Sequence, residues 1–140
     1  MKRYKEETKM EENKVLFRGN IYTLHSQVIL LDNEADRGFP KMRTGSESVA
    51  FGDQGVVVAT VEDLNTEVIV CQGKNEPEHK LCVTGQIWVG NQGLLVGNIE
   101  ASTTTNISWP KGRTLVTVYT NGIFTNATKV IFYLDYLGEN

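Results

Sequence analysis

One hundred and forty residues, 40% of them apolar and 22% charged, are enough for one domain with a core of its own. No apolar run is long enough to cross a membrane as a helix. The charged opening MKRYKEETKMEENK lacks the apolar stretch of a secretory signal, so a cytoplasmic protein is expected. Residues 1–14 hold five Lys/Arg and four Glu, leaving nine basic and thirteen acidic side chains in the rest of the chain; that acidic body excludes a nucleic-acid binder, which needs a basic stripe to displace counterions.

In chain order, residues 1–14 form a charged N-terminal arm with no apolar face to bury, so a mobile arm or a partner contact is expected there. From Val15 onward the reading is β. VLFRGNIY starts with a short strand. IYTLHSQVILLD alternates Tyr22, Leu24, Ser26, Val28 and Leu30 on one face, and its second half is apolar on both faces, as in a central strand. Residues 32–46 form a long polar loop. It is either a contact surface or a connection crossing between two sheets.

SVAF, a Gly52–Gly55 turn and GVVVATVED follow. The run Val56, Val57, Val58, Ala59 predicts a strand covered on both faces. TEVIVCQG and HKLCVTGQIWVG are the next strands, joined by KNEPEHK. IWVGNQGLLVG has the pattern of a hairpin. STTTNISWPKG is polar and turns at Pro110-Lys111-Gly112. RTLVTVYTNG and NATKVIFYLDYL are joined at Asn121-Gly122, the strongest hairpin dipeptide in the chain. Strands recur about every ten to twelve residues, which predicts an all-β, antiparallel β-sandwich over residues 15–140.

Little in this pattern carries chemistry. His25 and His79 show no spacing that brings them together with a carboxylate, so no metal site and no cofactor are expected. Cys71 and Cys82 are not a CxxC pair. If the connection centres near Glu76-Pro77 they fall opposite each other, and a cross-strand disulfide is open in an exported protein; two buried thiols are the commoner arrangement in a cytosolic one. Neither opens a helix, where a thiolate would be stabilised. Trp88 reads as core. Trp109, before a Pro-Lys-Gly turn, is either a loop-packing ring or an exposed contact.

The acidic residues are the most suggestive set. Asp32, Glu34 and Asp36 crowd one end of the long loop, Asp53 lies in the next turn, and Glu62 and Asp63 end the following strand. Strand ends meet at sandwich edges, so some of these can form one acidic patch that steers toward a basic surface; the ordinary alternative is a solvated rim. The D-x-E-x-D run lacks the glycine and distal glutamate of a calcium loop.

Ser26-Gln27 on an early strand, Arg37-Gly38-Phe39 in the charged loop, Gly45-Ser46 ahead of Ser48-Val49-Ala50-Phe51-Gly52, and Trp109-Pro110-Lys111-Gly112 before a long strand together resemble the competence protein J family of small bacterial β proteins, which includes an inhibitor of the DNA-entry nuclease. The resemblance covers residues 20–122. It implies a single-domain, non-enzymatic protein that binds another protein.

The reading is therefore a non-enzymatic protein-binding domain that inhibits, or gives immunity to, a nuclease or toxin. It acts by occlusion, with Asp32, Glu34, Asp36, Glu62 and Asp63 presenting charge and Phe39 adding an apolar anchor. Two alternatives stay open. One is a self-assembling structural component of a phage or surface, with homo-oligomers formed through the arm. The other is a carbohydrate-binding module using Trp109 or tyrosines. An enzyme is not expected, since no nucleophile–base pairing is visible.

Overall fold

The computed structural model describes residues 14–35, 48–73, 81–98, 103–122 and 126–139. Among these residues ten strands are formed: β1 (Val15–Tyr22), β2 (Gln27–Asp32), β3 (Val49–Gly52), β4 (Gly55–Ala59), β5 (Asn65–Gln72), β6 (Leu81–Val89), β7 (Leu94–Asn98), β8 (Thr103–Ile107), β9 (Gly112–Thr120) and β10 (Lys129–Gly138). They make two five-stranded sheets, the first in the order β1-β5-β10-β9-β6 and the second in the order β3-β4-β2-β7-β8. The expected all-β sandwich is what the chain forms.

Between the sheets lies a core dominated by valine. Val28, Leu30, Val56, Val58, Leu94 and Val96 of the second sheet meet Val68, Val70, Ile87, Val116, Val118, Val130, Phe132 and Leu134 of the first. Branched β-carbons suit the pleated surface, and each large apolar side chain removed from water contributes roughly 1.5–3 kcal/mol. The outward faces are apolar at their centres too. Ile29, Leu31 and Val57 cluster on the second sheet, and Ile69, Cys71, Tyr119, Ile131 and Tyr133 on the first. Tyr119 meets Tyr133 edge-on, with ring centroids 5.4 Å apart. Every residue of β4 is buried, as its apolar run predicts.

One pair of strands is parallel. β10 lies beside β5 with Val130 opposite Val68 and Phe132 opposite Val70, while its other neighbour β9 is antiparallel. The last strand thus inserts into the middle of the first sheet, so that sheet is complete only when the C-terminal segment is in place.

Several local expectations are corrected. IYTLHSQVILLD is not one strand: a 3-10 turn at Leu24–Ser26, with His25 at φ 62° and Ser26 at φ 58°, ends β1 in the first sheet and starts β2 in the second. IWVGNQGLLVG is not a hairpin, because β6 belongs to the first sheet and β7 to the second; the turn moves the chain from one layer to the other. The strands on either side of the long connection after β2 lie in one sheet, so of its two readings the crossing between sheets is set aside. β2 and β3 both pair antiparallel with β4, so they run parallel within one sheet, and the connection joins opposite ends of it.

The fourth correction concerns the cysteines. β5 and β6 are not neighbours; β10 and β9 stand between them. Three strand spacings of about 4.8 Å separate Cys71 from Cys82, well beyond the Cα separation a disulfide tolerates. Cys71 is a buried free thiol, and burial pushes its pKa up, against a smaller opposing pull from Arg18. The Gly52–Gly55 hairpin forms as expected, joining β3 to β4; Asn121-Gly122 does not close a tight hairpin, because Thr120 pairs with Val130 and residues 121–128 lie between β9 and β10.

Candidate partner-binding surface

The register of β2 against β4 decides where the acidic residues stand. Gln27 faces Ala59 and Leu31 faces Gly55. Asp32 therefore lies at the end of the second sheet that holds the Gly52–Gly55 turn. Glu62 and Asp63, which follow β4, lie at the other end, about 16 Å away along the strands. Among the described residues, the acidic candidates stand in two separate groups, not one patch.

At the first end, Asp32 faces inward. It is only 2% exposed, against the expectation of a solvent-facing charge. Its Oδ2 accepts from Gln54 Nε2 at 2.9 Å, and its Oδ1 accepts from the Gly90 N–H at 3.1 Å and the Glu34 N–H at 3.3 Å. An ionised carboxylate accepts several N–H groups at once, so Asp32 joins the end of β2, the β3–β4 turn and the β6–β7 turn. Glu34 and Asp53 are exposed at this end. Asp36 and Phe39 lie outside the described residues.

At the second end, Glu62 and Asp63 are both exposed. They sit in the turn between β4 and β5, where Asp63 has φ 53°, a left-handed conformation that aspartate tolerates better than most residues. Thr23 holds this turn. Its backbone N–H donates to Leu64 O at 2.9 Å and its carbonyl accepts from the Asp63 N–H at 3.1 Å. Its hydroxyl lies 2.6 Å from Val61 O and 2.7 Å from Leu64 O. Val61 N–H also donates to Ala127 O at 2.9 Å, tying the turn to the segment ahead of β10.

Two apolar side chains share this end. Leu64 is 57% exposed and Tyr22 41%. The Tyr22 phenol hydrogen-bonds Asp63. Desolvation first, then the negative charge of Asp63 and that hydrogen bond, and lastly Glu62, raise its pKa above the ordinary value. The result is a small surface of one aromatic ring, one leucine and two carboxylates on a turn clamped from beneath. Sequence reading singled out Glu62 and Asp63 but passed over Tyr22, Leu64 and Thr23. The available signal was Leu64, a lone leucine inside the polar turn Glu62-Asp63-Leu64-Asn65.

The tryptophans are settled by packing. Trp109 packs against the core and donates Nε1–H to Thr114 Oγ1 at 2.7 Å. Trp88 is not in the core as expected: it lies half-buried, with the Arg113 guanidinium 5.8 Å from its ring centroid. Among the described residues no three His, Cys, Asp or Glu side chains are grouped to hold a metal ion, and no helix is long and apolar enough to cross a membrane.

No protein-family model matches the chain, and no curated protein does. A solved structure does match: the crystal structure of ComJ, inhibitor of the DNA-degrading activity of NucA, from Bacillus subtilis. The match has a TM-score of 0.68 over 89% of this chain and 98% of that one. The fold is that of ComJ. The resemblance read from the short turn motifs is met at the level of architecture. At 13% identity ComJ lends no residue roles, and the surface above stands on its own geometry.

Proposed function

We propose that this chain is a non-enzymatic protein-binding domain that inhibits a nuclease by covering its basic DNA-binding surface. The observation that carries this reading is the fold shared with ComJ. The turn bearing Glu62 and Asp63 supplies the contact, with Tyr22 and Leu64 beside it. A carboxylate pair offers a basic site the charge that DNA phosphates would bring, and steers association at low salt. An exposed aromatic ring and leucine supply the apolar area that an interface core needs. Glu34 and Asp53, at the far end of the second sheet, lie outside this contact.

The test is inhibition of DNA degradation by NucA, with the chain titrated against a fixed amount of nuclease. The wild-type chain lowers the rate. Glu62→Lys combined with Asp63→Asn weakens inhibition by tenfold or more, since loss of a partnered interface charge costs about 2–5 kcal/mol; Asn is chosen because it keeps the left-handed backbone at position 63. Leu64→Ala weakens it less. A folded wild-type chain that neither binds NucA nor slows it would overturn the reading.

A further inference from the structure

We propose that two copies of this chain pair edge to edge through β6, continuing the first sheet across a twofold axis. This does not rest on the proposed inhibitory role. It comes from comparing the four strands that border the two sheets.

Natural sheets protect their borders with short strands, bulges, charges or proline. β3 has four residues and β8 has five. β1 has eight, but its register slips between Val15 and Phe17 and it carries Arg18. β6 has none of these features. It is nine residues long, LCVTGQIWV, with no charge and no proline. Its pairing with β9 is unbroken from Leu81 opposite Thr120 to Val89 opposite Gly112.

The direction of its free hydrogen-bonding groups follows from one contact. Trp88 N–H donates to Asp53 O at 2.6 Å, away from β9. Along an antiparallel strand, residues alternate between turning both backbone groups toward a neighbour and turning both away. Cys82, Thr84 and Gln86 share the parity of Trp88, so their N–H and C=O groups point out of the sheet border. Among the described residues no backbone partner meets Thr84 or Gln86 on that side. The inner side beneath is closed, because the Phe51 ring of β3 occupies the space where a side chain on Gly85 would stand, 2.6 Å from the nearest ring carbon.

A second copy fits this border. A twofold axis at Thr84 sets Thr84 opposite its own copy and Cys82 opposite Gln86. Every pairing then joins outward-facing positions, forming about six new main-chain hydrogen bonds. No like charges meet, a condition that destabilises many self-pairings. The adjoining border of the second sheet, Val49-Ala50-Phe51-Gly52, is uncharged as well and would flank the joint. Trp88, whose outward N–H is already taken by Asp53, marks the limit of the paired stretch.

The experiment is sedimentation equilibrium of the full chain up to about 100 µM, a range that detects micromolar self-association, together with Thr84→Pro and Gln86→Lys. Thr84→Pro removes an N–H that points away from β9. Gln86→Lys sets a charge on the border. The wild-type chain is expected at twice its 15.6 kDa mass, with both variants weakening dimerisation at least tenfold and keeping the wild-type circular dichroism. If Thr84→Pro does not fold, Gln86→Lys alone decides. A wild-type chain that stays at single-chain mass overturns the proposal, even if it captures a foreign extended strand. So does Gln86→Lys dimerising as tightly as wild type.

Discussion

Asp32 Oδ1 accepts a hydrogen bond from the Gly90 N–H at 3.1 Å, joining the last residue of a second-sheet strand to the turn by which the chain leaves the first sheet. The same carboxylate takes Gln54 Nε2 and the Glu34 N–H. Three segments distant in sequence meet on one buried side chain. Asp32→Ala leaves these donors without their partner, and a loss of about 2–4 kcal/mol is expected, because buried groups left unpaired cost their full desolvation. Asp32→Asn should lose a comparable amount, since its amide turns an N–H toward donors. Urea unfolding monitored by tryptophan fluorescence measures both. A loss below that of an ordinary surface substitution would show that Asp32 has no such role.

Thr23 clamps the turn that carries Glu62, Asp63 and Leu64. Thr23→Val keeps the shape but removes the hydroxyl that meets Val61 O and Leu64 O. Global stability should fall by about 1–2 kcal/mol, the range for a buried hydrogen bond. Amide exchange at Asp63 should rise more than exchange in β9, because the loosening is local. Equal changes at the two places would contradict the clamp.

The Tyr22 phenol should titrate above the ordinary tyrosine range. Desolvation is the largest cause and Asp63 the next. Asp63→Asn therefore lowers the Tyr22 pKa without returning it fully to the ordinary value. Since the folded chain holds the phenolic proton more tightly than the unfolded one, the stabilisation linked to it is whole below about pH 10 and is lost as pH rises through the folded pKa. Carbon NMR of the Tyr22 ring, assigned with Tyr22→Phe, follows the titration directly. An unchanged pKa in Asp63→Asn would remove Asp63 as a cause.

Cys71 should be slow to alkylate and should not pair with Cys82. Burial raises its pKa and limits access, so iodoacetamide at mildly alkaline pH should modify it roughly tenfold more slowly in the folded than in the unfolded chain. Oxidation of dilute folded protein should leave no Cys71–Cys82 crosslink in a peptide map. Finding that crosslink in folded protein would contradict the sheet order.

Much of the sandwich can be read from the residues because its signals are local. Valine runs at 56–58, β-branched stretches at 66–71 and 114–120, and the turn at Gly52–Gly55 each state strand or turn within a few positions. The acidic composition and the lone leucine at 64 are likewise in the letters. Which strands become neighbours is not. The parallel insertion of β10 between β5 and β9, the separation of Cys71 from Cys82, and the change of sheet at Leu24–Ser26 all depend on long-range pairing, where many strand orders satisfy the same alternation. The same holds for the candidate surface. The sequence places Asp32 and Glu62 in one suggestive set, but the register of β2 on β4 sends them to opposite ends of a sheet, burying one and exposing the other. Local pattern determines what each segment can become; burial and hydrogen bonding among distant segments select which of those possibilities is realised.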